Sequence, residues 1–147
     1  MKTTKFLLVV ILAVTTLFSA EAGNDKPISF DQLPETSKVF IREYFKEADI
    51  SYAKIDRDLF SKSYEVYFIN GNKIEFDKKG EWDTVECLKC EIPSGIVPAL
   101  IAKYVEKNHP DFTIVKIERN RRNYEIELNN ELEIKFDLAY NVIGYDD

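Results

Sequence analysis

Residues 63–82, SYEVYFINGNKIEFDKKGEW, decide the fold that we expect for this chain. Apolar and polar side chains alternate before and after Asn70-Gly71, so each run places one apolar row on one face of a strand. Asn-Gly between two such runs is a strong hairpin signal, because both residues can adopt positive φ. The stretch therefore predicts two antiparallel strands joined at Asn70-Gly71.

Most of the sequence pattern of this hairpin is repeated further along the chain. Residues of the same type recur 60 positions apart: Ile41 and Ile101, Tyr44 and Tyr104, Tyr64 and Tyr124, Glu65 and Glu125, Ile74 and Ile134, Phe76 and Phe136, Asp77 and Asp137. Lys54-Ile55 and Lys116-Ile117 are 62 apart. We expect an α+β fold of two tandem repeats, residues 23–90 and 91–147, within one combined domain.

Each predicted repeat is a helix followed by a four-stranded antiparallel sheet. The first helix begins near Pro34, and the second is expected from Ile92-Pro93 until just before His109-Pro110. Residues 23–28 are expected to form a polar tail. Both helices are expected on one sheet face, which leaves the other face open.

The N-terminus has the pattern of a secretory signal peptide. Lys2 and Lys5 precede an apolar run over residues 6–18, and small residues then allow cleavage after Ala22. The run is shorter than the roughly 20 residues of a membrane-spanning helix. We therefore expect residues 1–22 to be removed and the mature protein to be periplasmic or secreted, without membrane insertion.

The charge of the chain makes two classes of partner unexpected. The chain carries a formal charge of −6, and its one basic cluster, Arg119, Arg121 and Arg122, is interpreted as a solvated turn between strands. Nucleic acid and anionic membranes attract basic patches, so neither is expected as a partner.

Several motifs together resemble a known family. LP-x5-FI-x2-YF, the 63–82 hairpin, IP-x6-LI-x2-YV and YEIELNNELEIKFD are similar to those of secreted tandem PepSY-like, β-lactamase-inhibitor-like periplasmic proteins. The resemblance covers residues from about Ile28 to the C-terminus. It implies an architecture similar to that of the β-lactamase inhibitory protein, and binding or inhibition of another protein. No inhibitory residue can be transferred from it.

The sequence contains few residues suited to catalysis. Cys87 and Cys90 form the only redox-type motif, and we expect a local disulfide, with free thiols or a thiol redox role as alternatives. His109 lacks a recognisable nucleophile partner, and two cysteines with one histidine lack paired zinc-ligand spacing. We expect no catalytic site, no metal site and no cofactor.

Strand parity points to a binding surface instead. Tyr52, Tyr67 and Ile69 are expected on the open face among charged residues, and Trp82 is a further candidate. The leading hypothesis is a non-enzymatic module that binds an unknown protein there, with an exported enzyme as the candidate target. The alternative is a small-ligand or metal-ion sensor in the cleft between the two halves, which the carboxylate-rich face and the pairing of the halves suggest. An edge strand also allows a homodimer.

Overall fold

The computed structural model describes residues 25–146 and shows two α-helices and nine β-strands in an α+β arrangement. The expected signal peptide, residues 1–22, lies outside the described residues. The elements in chain order are β1 Lys26–Ile28, α1 Glu35–Tyr44, β2 Ile50–Arg57, β3 Lys62–Phe68, β4 Lys73–Phe76, β5 Trp82–Glu86, α2 Ala99–Asn108, β6 Ile114–Arg119, β7 Asn123–Leu128, β8 Glu133–Asp137 and β9 Val142–Asp146.

All nine strands of the described part form one antiparallel sheet in chain order. The pairing of β5 with β6, which sets Val85 opposite Ile117, joins the two halves. The strands of the two predicted four-stranded units therefore lie in one continuous sheet. The predicted polar tail is also wrong in part, because Lys26–Ile28 pairs with β2 as an edge strand and Ile28 lies opposite Ala53.

Both helices pack against the same face of the sheet. The Phe40 ring of α1 meets Phe76 edge-on, with ring centroids 5.9 Å apart. The Tyr104 ring of α2 meets Phe136 in the same way at 5.5 Å. The core between helices and sheet consists mainly of aliphatic and aromatic side chains, among them Ile41, Val66, Ile74, Phe76, Val85, Ile101, Ile117, Ile126, Ile134 and Phe136.

The second helix begins later than the sequence pattern predicts. Pro98 precedes its first residue, Ala99, and a proline forces the residue before it out of the helical region. Ile92 and Ile96 are buried in the preceding loop, so their helix-like spacing reflects packing of a non-helical segment.

The central hairpin turn is one residue longer than a two-residue Asn-Gly turn. Phe68 N–H donates to Asn72 O at 2.9 Å, and Gly71 N–H donates to Phe68 O at 3.0 Å. Gly71 alone of the turn residues has positive φ, at 90°. This geometry matches a three-residue loop that ends in a left-handed residue.

The strand pairing shows which residues of β2 and β6 are equivalent in the two halves, and they differ from the residues matched by sequence. Ala53 lies opposite Val66, and Ile117 lies opposite Ile126, which is 60 positions beyond Val66. Ile117 therefore occupies the place of Ala53 rather than that of Ile55. Lys116-Ile117 is therefore equivalent to Tyr52-Ala53, two residues before the Lys54-Ile55 pair that the sequence suggested.

Candidate functional site

A pair of stacked tyrosines lies on the sheet face opposite the helices, which we call the open face. Tyr52 of β2 and Tyr67 of β3 are directly paired across the strands. Their rings are nearly parallel, at 12°, with centroids 4.5 Å apart. Tyr52 is 51% exposed, so the pair offers a preformed aromatic surface to solvent.

Strand register places the two rings together. A register shift between Ile50 and Tyr52 adds one residue to β2, after which the alternation is regular. Ala53 and Val66 then turn toward the buried core, so their neighbours Tyr52 and Tyr67 project from the other side. Aromatic cross-strand pairs of this kind also stabilise the sheet.

Charged side chains surround the rings and pair with one another. Lys73 Nζ lies 5.5 Å from the Tyr67 ring centroid and Lys54 Nζ lies 5.9 Å from it. Glu65 accepts a hydrogen bond from the Tyr67 hydroxyl at 2.5 Å, and its carboxylate lies 3.4 Å from Lys54 Nζ and 3.3 Å from Lys73 Nζ. We call Tyr52, Tyr67, Lys54, Lys73 and Glu65 the tyrosine patch.

These contacts fix the protonation states of the patch. Burial tends to raise the pKa of Glu65, but the Tyr67 hydroxyl and the two lysines outweigh it and hold the pKa below its ordinary value. Burial, followed by the bond to Glu65, raises the pKa of Tyr67. Burial opposes the charge of Lys73, yet Glu75 and Glu65 raise its pKa. At neutral pH the patch holds a neutral Tyr67, an ionised Glu65 and charged lysines.

The other two candidate residues of the open face differ in their placement. Ile69 is 74% exposed in the β3–β4 turn, and its N–H donates to Asp49 O at 2.8 Å, so it lies beyond the end of the strand that carries Tyr67. Trp82 lies on the helix side, where its ring centroid is 6.3 Å from that of Phe40. Trp82 is therefore removed from the open-face surface, because the register shift in β5 pairs it with the buried Phe76.

Cys87 and Cys90 are both free thiols in the structure, in a turn that follows β5. Cys87 is fully buried, and burial followed by the neighbouring Cys90 raises its pKa to about 12. Cys90 is exposed, and Asn72 Nδ2 donates to its Sγ at 3.6 Å. Burial and a raised pKa make Cys87 a poor nucleophile, and the disulfide stays a prediction.

Carboxylates are numerous on the second half of the open face. Glu127 of β7 lies directly opposite Glu133 of β8, and neither forms an ion pair within the described part of the chain. Across residues 25–146, no group of three or more His, Cys, Asp or Glu side chains is placed to hold a metal ion. In the same residues, no helix combines the length and apolar character needed to span a bilayer.

The sequence pattern predicts both tyrosines on the open face among charged residues, but Lys54 is not singled out by it. Lys54 shares the face of Tyr52, so the same alternation identifies it once the facing of β2 is fixed. Its second partner is Asp25, whose carboxylate lies 2.6 Å from Lys54 Nζ. That contact depends on the unexpected β1 strand, and no local sequence pattern predicts this strand.

Solved structures share this fold and much of this sequence. A protein from Bacteroides vulgatus ATCC 8482, described as "a putative periplasmic protein from DUF2874 family", is 48% identical with a TM-score of 0.81, over 86% of this chain and 99% of that one. A "putative calcium-regulated periplasmic protein" from Bacteroides thetaiotaomicron is 47% identical with a TM-score of 0.81, over 84% and 97% of the two chains.

A third structure, "a putative periplasmic protein of unknown function" from Bacteroides vulgatus ATCC 8482, is 36% identical with a TM-score of 0.79, over 84% of this chain and 99% of that one. A search of curated proteins found no match. A family model described as "Putative beta-lactamase-inhibitor-like, PepSY-like" matches residues 62–144. With its two helices on one face of a meandering antiparallel sheet, this chain belongs to the PepSY-like family.

Proposed function

We propose that this chain is a non-enzymatic periplasmic module that binds another protein through the tyrosine patch. The observation that carries the proposal is the stacked pair of Tyr52 and Tyr67 on a sheet face that neither helix covers. Tyrosine supplies large, rigid contact area, and residues of this kind dominate the binding energy of protein interfaces. An exported enzyme is the proposed target, which the protein inhibits or regulates.

The ion pairs of the patch favour binding, because they hold the site rigid before a partner arrives. Glu65 contacts both Lys54 and Lys73, and the Nζ atoms of these lysines lie 5.9 and 5.5 Å from the Tyr67 ring centroid. A side chain that is already fixed loses less conformational entropy when a partner binds. The charged rim also gives the surface specificity for a partner of complementary charge.

The two halves are proposed to be tandem PepSY-like repeats, residues 23–90 and 91–147, that differ in function. Their hairpins pair alike, since Tyr64 lies opposite Phe76 and Tyr124 lies opposite Phe136. On the open face, however, Lys116 and Glu127 occupy in the second half the places of the two tyrosines. The aromatic surface therefore belongs to the first half alone.

The comparisons support this assignment at the level of the family. The model that matches this chain is described as inhibitor-like, and the similar structures are described as periplasmic. Export with cleavage after Ala22 agrees with that compartment and is part of the proposal. No catalytic step is assigned to the chain.

The test is capture of a partner from the envelope fraction of the producing cell. The mature protein is immobilised beside a Tyr52→Ala/Tyr67→Ala variant and a Val39→Ala/Leu100→Ala control, whose residues are 54% and 57% exposed on the two helices. We expect an enriched protein that the tyrosine variant loses and the helix control retains. The activity of that protein is then assayed with and without the purified module.

Equal capture by all three folded proteins would contradict the assignment of binding to the open face. If only the helix control failed to capture the protein, the interface would lie on the helix side of the molecule. Circular dichroism and thermal unfolding confirm that each variant is folded before capture.

A second candidate function is calcium sensing on the second half of the open face. Glu127 and Glu133 are like charges in directly opposed positions, an arrangement that destabilises a sheet unless a cation lies between them. The Bacteroides thetaiotaomicron structure described as calcium-regulated is 47% identical to this chain over 84% of its length. Against this candidate, the two carboxylates alone supply few of the oxygen ligands that calcium prefers.

Thermal unfolding in calcium chloride separates the two candidates. Calcium that prefers the folded state raises the melting temperature, and a Glu127→Gln/Glu133→Gln variant removes that rise. A Glu106→Gln variant on α2 is the matched control. An unchanged melting temperature in millimolar calcium would eliminate the sensor hypothesis.

A further inference from the structure

A groove with a cavity volume of about 760 Å³ opens among three turns at one end of the sheet. These turns join β2 to β3, β4 to β5 and β6 to β7, and alternate turns of a meander lie at the same end. Five cationic side chains line the groove, together with the aromatic ring of Phe60: Lys62, Lys78, Lys79, Arg119 and Arg121. We call it the basic groove.

The five cations keep their charges available. None of them lies within 4.0 Å of a carboxylate oxygen in the part of the chain that the structure describes, whereas Lys54 and Lys73 of the tyrosine patch each contact two carboxylates. From the sequence alone, the arginine cluster is interpreted as a solvated turn. The fold adds Lys78 and Lys79 to it from a different hairpin.

Two of the cations are held in place by aromatic rings. The Arg119 guanidinium lies 4.0 Å from the Trp82 ring centroid, and Arg119 Nε donates to Trp82 O at 2.7 Å. Lys62 Nζ lies 5.1 Å from the Tyr64 ring centroid. A ring orients a cation without neutralising it, so both charges remain free to meet an anion.

Three carboxylates, those of Asp77, Glu81 and Asp83, also line the groove, but cations outnumber them. Asp77 Oδ1 accepts hydrogen bonds from the N–H groups of Lys79 and Glu81, at 2.8 and 2.9 Å, so this carboxylate stabilises the turn. The chain as a whole carries a formal charge of −6. The basic groove is therefore a local reversal of sign on an acidic protein.

The groove also has an apolar margin. Phe60 is 99% exposed and its neighbour Leu59 is 91% exposed, at the tip of the β2–β3 turn. Solvent-exposed side chains of this size beside a concave surface are typical of interaction sites. A simple inorganic anion has no apolar group that could pack on the Phe60 ring.

We propose that the basic groove binds an extended peptide segment rich in Asp and Glu, with an apolar side chain that packs on Phe60. The site is separate from the tyrosine patch, because Lys62 and Arg119 contact the rings of Tyr64 and Trp82 on the helix side of the sheet, whereas the patch lies on the open face. Its success or failure is independent of the open-face proposal.

The probe is a fluorescein-labelled Asp-Glu-Phe-Glu-Asp peptide, and binding is measured by fluorescence anisotropy on the mature chain. We expect saturable binding that weakens as salt concentration rises. A Lys78→Glu/Lys79→Glu variant is expected to raise Kd about tenfold or more. A Lys103→Glu/Lys107→Glu variant, which makes the same charge change on α2, is expected to leave Kd unchanged. Thermal unfolding establishes that both variants are folded.

Phe60 is tested with a second peptide in which glycine replaces phenylalanine. Phe60→Ser is expected to weaken binding of the Phe peptide and to leave the Gly peptide unaffected, which isolates the pairwise contact. Absence of binding, equal loss in the two charge variants, or equal binding of a Lys-Lys-Phe-Lys-Lys peptide would overturn the proposal. Tighter binding of inorganic polyphosphate, with no dependence on Phe60, would identify a polyanion site instead and would also overturn it.

Discussion

Replacing Gly80 by alanine should destabilise the protein more than any other single added methyl group at a glycine of the described chain. Gly80 has φ of +83° and is packed against the start of α1. A Cβ atom there would lie 2.6 Å from Pro34 Cβ and 2.7 Å from Ser37 Oγ. Ser37 is fully buried, and its hydroxyl donates to Gly80 O at 3.1 Å.

The magnitude follows from three overlapping costs. A left-handed conformation costs a non-glycine residue about 1 kcal/mol, and overpacking a rigid site costs about 1–3 kcal/mol. If the turn moves to relieve the clash, the Ser37 hydrogen bond is lost at about 1 kcal/mol. We expect the Gly80→Ala variant to lose about 2–4 kcal/mol of unfolding free energy in urea, with Tm lower by about 10 °C.

Gly144→Ala is the matched control. Gly144 lies in β9 without positive φ, and an added Cβ would lie 4.0 Å from Lys135 Cβ, an ordinary contact. The control should change stability by less than about 0.5 kcal/mol. Equal stabilities for the two variants would refute the close packing of the β4–β5 turn against α1.

Three further predictions concern the patch and the cysteines. Tyr52→Ala should cost about 1 kcal/mol, the value of one exposed aromatic stack, in a urea melt; a loss above about 3 kcal/mol would show that the ring is core. Because the folded pKa of Glu65 lies below its ordinary value, its contribution is present above the unfolded pKa and is lost as pH falls through the folded pKa. Unfolding free energy should therefore decline less on acidification in Glu65→Gln than in the unaltered protein, and parallel curves would contradict the contacts. In the reduced protein at pH 7, a thiol reagent should label Cys90 and leave Cys87 unmodified, as read by mass spectrometry; prompt labelling of Cys87 would contradict its burial and raised pKa.

Local alternation predicts most of the sheet, because burial of one face imposes a period of two. In Lys62–Phe68 the buried side chains are Tyr64, Val66 and Phe68, as the alternation predicts. The start of α2 was missed because its apolar spacing continues through Pro98, and the backbone restriction at a proline outweighs that pattern. The edge strand Lys26–Ile28 is too short to carry a pattern of its own.

The candidate site was predicted in part for a related reason. Parity locates Tyr52 and Tyr67, but parity fails where a register shift adds a residue. In β5 that residue is Asp83, which has no partner because Thr84 pairs with Glu75 and Trp82 pairs with Phe76. The facing of Trp82, which parity left open, follows from this shift. The basic groove requires three turns to meet in space, and a contact of that kind between hairpins leaves no local signature in a single sequence.

Site-specific photo-cross-linking in the producing cell tests the open-face claim most directly. Benzoylphenylalanine is incorporated at position 52 in one strain and at position 100, on α2, in another, since both native side chains are more than half exposed. Binding through the open face should give a covalent adduct with a partner protein from position 52 and none from position 100. Adducts from position 100 alone, or the same adducts from both positions, would contradict it.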